Sequence, residues 1–205
     1  MLVLACAATP RAHRFAVPAD VGSLVVDDRS FAPLARPLRA DVEASLRGSL
    51  DVTARKDRLF ILALLDALDD HWPEALASID RIAALETDPR QRAMTGLTIR
   101  VWADARARGA DTPDGFRAAL ERALNTLPLA LVHDDLQMLR AMGQAFTPEA
   151  CRALVAQAVH AEHGTISLED ARTIAFQRYA VKRLAPVGAV IDQVLGARGI
   201  ELPSE

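Results

Sequence analysis

Five residues of this sequence are candidates for the ligands of a hydrolytic metal centre. His133, Asp134 and Asp135 are consecutive, His71 precedes them and Asp192 follows them. Imidazole and carboxylate groups together bind hard divalent metals, which activate a water molecule for attack on an ester. His71 and Asp192 are far from His133 and Asp134 along the chain. The sequence therefore contains suitable ligand types but does not show that they lie close together in the fold.

The consecutive His133 and Asp134 resemble the His-Asp doublet of metal-dependent phosphohydrolases. The resemblance implies a site completed by an upstream histidine and a downstream aspartate. The same segment also fits an amphipathic helix with its acids in water and with an inner face of Val132, Leu136 and Leu139. We favour the amphipathic helix and expect no catalysis, no cofactor and no bound metal. The phosphohydrolase stays as an alternative.

Two further groups of residues could do chemistry but fit structural roles better. His160 and His163 are three residues apart, which predicts one shared helix face near the end of that helix. A protonated imidazole there complements the negative end of the helix dipole. Asp66, Asp69 and Asp70 could form an acid pair if they were buried. The last two come at a turn between helices, where carboxylates are hydrated and favour the next helix N-terminus.

Two tryptophans and a strip of arginines are the candidates for contact with a partner. Trp72 and Trp102 are of the type that anchors protein cores and interfaces. Arginines recur around one predicted helix, where a solvated face partly paired with acids is the default. The strip consists of Arg90, Arg92, Arg100, Arg106 and Arg108. We take Trp72, Arg100, Trp102 and Arg106 as the residues that contact a protein or peptide, and an acidic partner would suit the strip.

The first residues bear on where the protein acts. Val3-Leu4-Ala5-Cys6 resembles the lipobox of bacterial lipoproteins, in which the cysteine receives the lipid. Met1–Ala8 is shorter than a secretory signal and lacks its leading positive charge, so the resemblance implies a start further upstream. The alternative is an ordinary apolar N-terminus with a chance cysteine. We expect a bacterial cell-envelope protein, periplasmic or lipid-anchored at Cys6, with a cytoplasmic location as the alternative.

The composition favours a helical globular domain over several other classes. Hydrophobic residues make up 51% of the 205 positions and charged residues 25%, which excludes a disordered chain. The formal net charge is -3 and aromatic residues are 4%, so nothing points to nucleic acid. No apolar stretch is long enough to span a membrane. Alanine, the best helix former, occurs 39 times.

From about residue 39 onward, apolar residues recur at helical spacing between helix start and stop signals. The sequence predicts an all-α fold with about eight antiparallel helices, in a bundle or an irregular hairpin array, forming one domain over residues 39–200. A tail over 201–205 follows it. Leu59–Leu65 is apolar all round and indicates a central helix, with a buried strand as the competing interpretation. Residues 1–38 are predicted to be an irregular lead, because of Pro10, Pro18, Pro33 and Pro37. Within that lead, Ser23–Val26 is at most a short extended piece.

Two segments resemble parts of known families. The segment over 57–90, with Trp72-Pro73-Glu74-Ala75-Leu76 and a closing Asp88-Pro89, resembles a tetratricopeptide-type helical hairpin. No second copy follows at the repeat offset, although an array needs about three units. Asp80–Glu86 followed by Gly96–Arg100 is similar to the helical region before the catalytic domain of bacterial subtilisin-like envelope peptidases.

These patterns together favour a non-catalytic helical binding or interaction module of a bacterial envelope protein. Its partner is expected to be a protein or peptide held in a groove between helices. A helical accessory or pro-region of a secreted subtilisin-like peptidase is the first alternative, and the His-Asp phosphohydrolase is the second.

Overall fold

The computed structural model describes residues 14–202 and shows an all-α fold with one small antiparallel sheet, which confirms the predicted fold class. Within this range, nine α-helices have ten residues or more, against about eight expected. The elements are β1 (Arg14–Ala16), α1 (Ser23–Val26), α2 (Asp28–Leu46), α3 (Val52–Leu68), α4 (Trp72–Leu85), α5 (Pro89–Met94), α6 (Leu97–Ala107), α7 (Pro113–Thr126), α8 (Leu129–Ala145), α9 (Pro148–Ala158), β2 (Thr165–Ser167), α10 (Leu168–Tyr179) and α11 (Gly188–Ala197). A π-helical turn (Ala180–Leu184) and a 3-10 turn (Ala185–Val187) join α10 to α11.

The centre of the molecule is α3, which is buried on every side over its second half. Leu59 and every residue from Ile61 to Leu68 are buried there, including the charged Asp66. This confirms a central helix and excludes the strand interpretation of the same run. The helix forms a hairpin with α4 through a turn at Asp69, Asp70 and His71. The tetratricopeptide resemblance of this hairpin stays a prediction.

The prediction of an irregular lead over residues 1–38 is wrong from Asp28 onward, because Asp28–Leu46 forms the longest helix, α2. Both Pro33 and Pro37 lie inside it on the exposed face, where water can reach the carbonyls that each proline leaves without an N–H partner. The Asp27 carboxylate caps the start by accepting from the N–H groups of Arg29 and Ser30. An apolar stripe at helical spacing then holds the helix on the core through Phe31, Leu34, Leu38 and Val42.

The lead also contains structure that the sequence did not indicate. Ser23–Val26 is a single helical turn, not an extended piece, and its Leu24 and Val25 are fully buried. Ahead of it, β1 pairs antiparallel with β2, with Phe15 opposite Ile166. This long-range pairing ties the start of the described chain to the loop before α10.

Several helix boundaries follow the predicted signals. Thr112, Thr147 and Ser167 each accept a hydrogen bond at the start of α7, α9 and α10, and Ser167 with Asp170 forms a capping box. Gly96, at φ +62°, lies between the end of α5 and the start of α6. Over residues 14–202, none of the helices is both long enough and apolar enough to cross a bilayer.

Candidate binding site

A cavity of about 570 Å³ lies between α2, the α3–α4 turn and the end of α10. One face of α2 forms a wall, since Asp28, Ala32, Ala35 and Arg39 recur every three or four residues along it. The two alanines leave the space open because their side chains are small. The remaining lining residues are Phe31, Arg36, Leu68, Asp69, Asp70, Arg178 and Lys182.

The π-helical turn Ala180–Leu184 determines where the cationic side chains at the end of α10 point. A π turn widens the helix by one residue per turn, and such turns recur at functional sites. Here Lys182 lines the cavity, and the next residue, Arg183, is 8% exposed and directed into the protein. The segment therefore supplies one cation to the cavity and another to the structure that supports it.

Arg183 is held between two tryptophan rings. Its guanidinium carbon lies 5.0 Å from the centre of the Trp72 ring and 5.7 Å from that of Trp102, which are cation–π distances. It forms an ion pair with Asp70, and Asp111 lies 3.7 Å away. The Trp102 Nε1–H donates to the Arg183 carbonyl oxygen at 2.9 Å. These contacts fix the π turn against the start of α4 and the middle of α6.

Arg178 connects the cavity wall to the N-terminal elements. Its guanidinium donates to the Val25 carbonyl oxygen at 2.7 Å and pairs with the Asp28 carboxylate at the start of α2. The side chain is 5% exposed, and its buried Nε–H has no hydrogen-bond partner among the described residues. Because the Arg178 guanidinium is buried, removing the Asp28 carboxylate would leave a buried charge without its partner, which is costly.

Arg39 joins α2 to the end of α3. It donates to the carboxylates of Asp66 and Asp69, the second at 3.3 Å. Burial raises the pKa of Asp66 above its ordinary value of 3.8, against the lowering effect of Arg39. Asp66 is thus a buried structural acid, while Asp69 and Asp70 lie half-exposed at the turn, where the sequence placed them.

Two cations of the cavity have no carboxylate partner in the part of the chain that the structure describes. Arg36 is exposed on α2, and nothing within residues 14–202 pairs with it. The Lys182 Nζ donates to the Leu68 carbonyl oxygen at 2.7 Å, at the C-terminal end of α3. An ammonium has three N–H donors, so Lys182 keeps hydrogen-bonding capacity that faces the cavity.

The residues predicted to contact a partner lie elsewhere. Trp72 and Trp102 are 5% and 4% exposed, so a partner cannot reach their rings, and that prediction fails for both tryptophans. They are large apolar groups at the junction of α4, α6 and the π turn, where they enclose Arg183. Arg100 and Arg106 are on the surface but pair within the chain, with Asp80 at 2.8 Å and Asp111 at 2.6 Å.

The other arginines of the strip also have ion-pair or hydrogen-bond partners within the chain. Arg90 contacts Asp135 at 2.5 Å, and Arg108 contacts Asp104 at 2.9 Å. Arg92 donates to the Glu86 carbonyl oxygen at 2.7 Å. The strip is therefore a solvated face with internal partners, which was the default interpretation.

The candidate metal ligands do not come together. Among residues 14–202, no group of three or more histidine, cysteine, aspartate or glutamate side chains could hold a metal ion. The side chains of His133 and Asp134 are 43% and 74% exposed on α8. His71 lies at the start of α4, and Asp192 accepts from Arg140 at 2.7 Å.

The prediction for His160 and His163 is wrong, because α9 already ends at Ala158. Glu162 and Thr165 form an isolated antiparallel bridge around a tight turn. His163 and Gly164 adopt left-handed conformations in it, at φ +52° and +73°. The two histidines therefore do not share a helix face.

Few sequence signals pointed to the residues that line or support the cavity. The segment after Leu168 has the apolar spacing of an ordinary helix. Within it, only the positive charge of Arg178, Lys182 and Arg183 next to inward-facing apolar residues distinguishes these three positions. Lys182 is also one of just two lysines in the chain. The prolines of α2 hid the helical position of Arg36, because residues 1–38 were predicted to be irregular.

Cys151 does not line the cavity. Cys6 lies outside the described residues, and Cys151 is buried on α9, where burial raises the pKa of its thiol. Comparisons of this chain with protein-family models, with curated proteins and with solved structures find no match.

Proposed function

We propose that this chain is a non-catalytic helical binding module that recognises a segment of a protein or peptide in the cavity between α2, the α3–α4 turn and α10. The observation that carries the proposal is the cavity itself, about 570 Å³ and lined by both apolar and charged side chains. Ligand pockets for small molecules fall in this range of volume and combine apolar walls with a few polar groups.

The walls of the cavity are fixed before any ligand arrives. The ion pair of Arg178 with Asp28 connects α10 to the start of α2, and the hydrogen bond from Lys182 to the Leu68 carbonyl oxygen connects the π turn to the end of α3. Arg183 connects the π turn to the α3–α4 turn through its ion pair with Asp70, and its guanidinium packs against the two tryptophan rings. A preformed site loses less conformational entropy on binding, which favours recognition of a short flexible segment.

The proposal includes a bacterial envelope location and a lipid tether at Cys6. It rests on the lipobox resemblance of Val3-Leu4-Ala5-Cys6 alone. Mass spectrometry of the protein from its native host tests it. A diacylglyceryl group on Cys6 supports the tether, whereas an unmodified cysteine in the full-length protein contradicts it.

The binding proposal is tested by selecting random peptides displayed on phage against the immobilised protein. Ala32 is exposed in the cavity wall, so Ala32→Trp fills the space without touching the buried network. Ala153→Trp, at an exposed alanine of α9, is the matched control. We expect the enriched peptides to bind the wild-type and Ala153→Trp proteins equally and to lose at least about tenfold in affinity for Ala32→Trp, about 1.4 kcal/mol.

Two results would overturn the proposal. Either no peptide is enriched above background, or the enriched peptides bind Ala32→Trp as tightly as the wild-type protein. Circular dichroism of each variant shows whether it is folded. If Ala32→Trp does not fold, Ala32→Leu replaces it as the blocking variant.

A further inference from the structure

We infer that the segment bound in this cavity is acidic, and that Arg36 and Lys182 recognise its carboxylates. This inference rests on the proposed function and names the chemistry of its ligand. It follows from which charges in the cavity are already neutralised and which are not.

The acids of the cavity are not available to a partner. Asp28, Asp69 and Asp70 pair with Arg178, Arg39 and Arg183, respectively. In each pair the arginine is the more buried member, for example 10% exposed against 44% for Asp70. Arg178 and Arg183 are buried, and losing their carboxylates would be strongly unfavourable, so Asp28 and Asp70 stay bound to the protein. Asp69 lies next to Arg39, at 3.3 Å. A basic segment would have to compete with all of these pairs.

The remaining cations are available. Arg36 has no partner in the described chain, and Lys182 has only a backbone carbonyl oxygen, that of Leu68. Both line the same cavity. A guanidinium binds a carboxylate with two parallel hydrogen bonds, and an ammonium adds a point charge. Their unpaired charge makes a carboxylate the complementary group.

The same arrangement argues against a nucleic acid. A phosphate backbone carries a charge every few ångströms. In this cavity, however, only Arg36 and Lys182 lack a carboxylate partner among residues 14–202, so the free positive charge matches two carboxylates and not a dense row of phosphates. A peptide can place single carboxylates beside these two cations. The chain as a whole has a net charge of -3.

The test uses the most enriched peptide from the selection and a counterpart in which every Glu and Asp is replaced by Gln and Asn. The protein variants are Arg36→Gln/Lys182→Met and a control pair, Arg47→Gln/Arg81→Gln. The control removes two exposed arginines that lie away from the cavity and have no partner among residues 14–202. Affinities come from fluorescence anisotropy, and circular dichroism confirms folding. A single-stranded oligonucleotide is run in parallel.

We expect the enriched peptides to be rich in Glu and Asp, and the neutral counterpart to bind at least about tenfold more weakly. The cavity variant should lose about the same factor for the acidic peptide and the control variant should not. Enriched peptides that are neutral or basic, yet still lose binding to Ala32→Trp, overturn this inference and leave the proposed function intact. Unchanged binding of the acidic peptide to Arg36→Gln/Lys182→Met, or tighter binding of the oligonucleotide, also overturns it. Peptides insensitive to Ala32→Trp overturn the proposed function itself.

Discussion

The arginine–aspartate pairs around the cavity differ in burial from those on α6. Around the cavity, the side chains of Arg178 and Arg183 are 5% and 10% exposed. On α6, those of Arg100 and Arg106 are 37% and 49% exposed. Asp111 belongs to both regions, because it contacts Arg106 at 2.6 Å and Arg183 at 3.7 Å. The same residue types thus serve as internal supports in one region and as a hydrated surface in the other.

The difference shows that the density of arginines along the sequence is a poor guide to a binding site. The α5–α6 strip has the higher density, yet its cations are neutralised by neighbouring acids and carbonyl groups. The cavity has fewer cations, but two of them lack a carboxylate because the nearby acids are committed to buried arginines. Unpaired charge next to open space is the feature that favours a ligand.

The largest effect is expected from removing an acid of the buried network. Asp70→Asn keeps a residue type that tolerates the left-handed backbone at φ +62° but removes the charge opposite Arg183. We expect the free energy of unfolding to fall by about 3 kcal/mol, since a buried guanidinium loses its nearest partner. Urea denaturation measures this change.

Asp80→Asn is the matched substitution in the exposed strip. It should cost less than about 1 kcal/mol, because Arg100 returns to water at little cost. Equal losses for Asp70→Asn and Asp80→Asn would remove the distinction between the two regions.

A smaller effect is expected from Trp102→Phe. The substitution keeps an aromatic ring beside Arg183 but deletes the Nε1–H that donates to the Arg183 carbonyl oxygen. We expect a loss of about 1–2 kcal/mol, since a buried carbonyl group is left without its partner. Thermal unfolding followed by circular dichroism measures it. A loss below about 0.5 kcal/mol would show that this hydrogen bond does not hold the π turn.

The two regions should also respond to pH in opposite directions. Burial raises the folded-state pKa of Asp66 above 3.8, so the stability linked to this group is present below that pH and is lost as the pH rises through the raised value. Hydrogen bonds from Arg122 lower the pKa of Asp104 below 3.8, so its contribution is present above that pH and is lost as the pH falls.

Unfolding free energies of Asp66→Asn and Asp104→Asn, each measured against the wild-type protein across acidic pH, separate these effects. The wild-type protein should lose stability relative to Asp66→Asn as the pH rises, and should gain stability relative to Asp104→Asn. The same sign of change for both variants would contradict the assignment of Asp66 to a desolvated site.

The smallest effect is expected at the surface strip. Arg106→Gln removes a half-exposed guanidinium whose pair with Asp111 is in contact with water. We expect a change of about 0.5 kcal/mol or less in the free energy of unfolding. A loss above about 2 kcal/mol would mean that Arg106 orients Asp111 toward Arg183 and that the strip supports the network.

Local signals in the sequence were enough to predict most of the fold. Thr112, Thr147 and Ser167 mark helix starts through their own side chains, and the uninterrupted apolar run after Leu59 marks the central helix. The long helix α2 was missed because Pro33 suggested a break. Burial of its apolar stripe stabilises the helix by more than the two prolines cost, because the carbonyl groups that they leave without an N–H partner are on the side exposed to water.

The candidate site could not be predicted, because it depends on contacts between distant residues. Arg183 and Asp70 are separated by 113 positions, and Arg178 and Asp28 by 150. No spacing rule connects such pairs. Trp102 was predicted to contact another protein, but its ring lies beside Arg183 of the same chain.

The most direct test of the binding account is a ¹⁵N–¹H NMR titration of the protein with the enriched acidic peptide. The account predicts that the amide shifts concentrate on the cavity, at Ala32, Arg36, Asp69 and Lys182. Shifts concentrated on the exposed strip, at Arg100 and Arg106, would contradict it and assign binding to the region with the higher density of arginines.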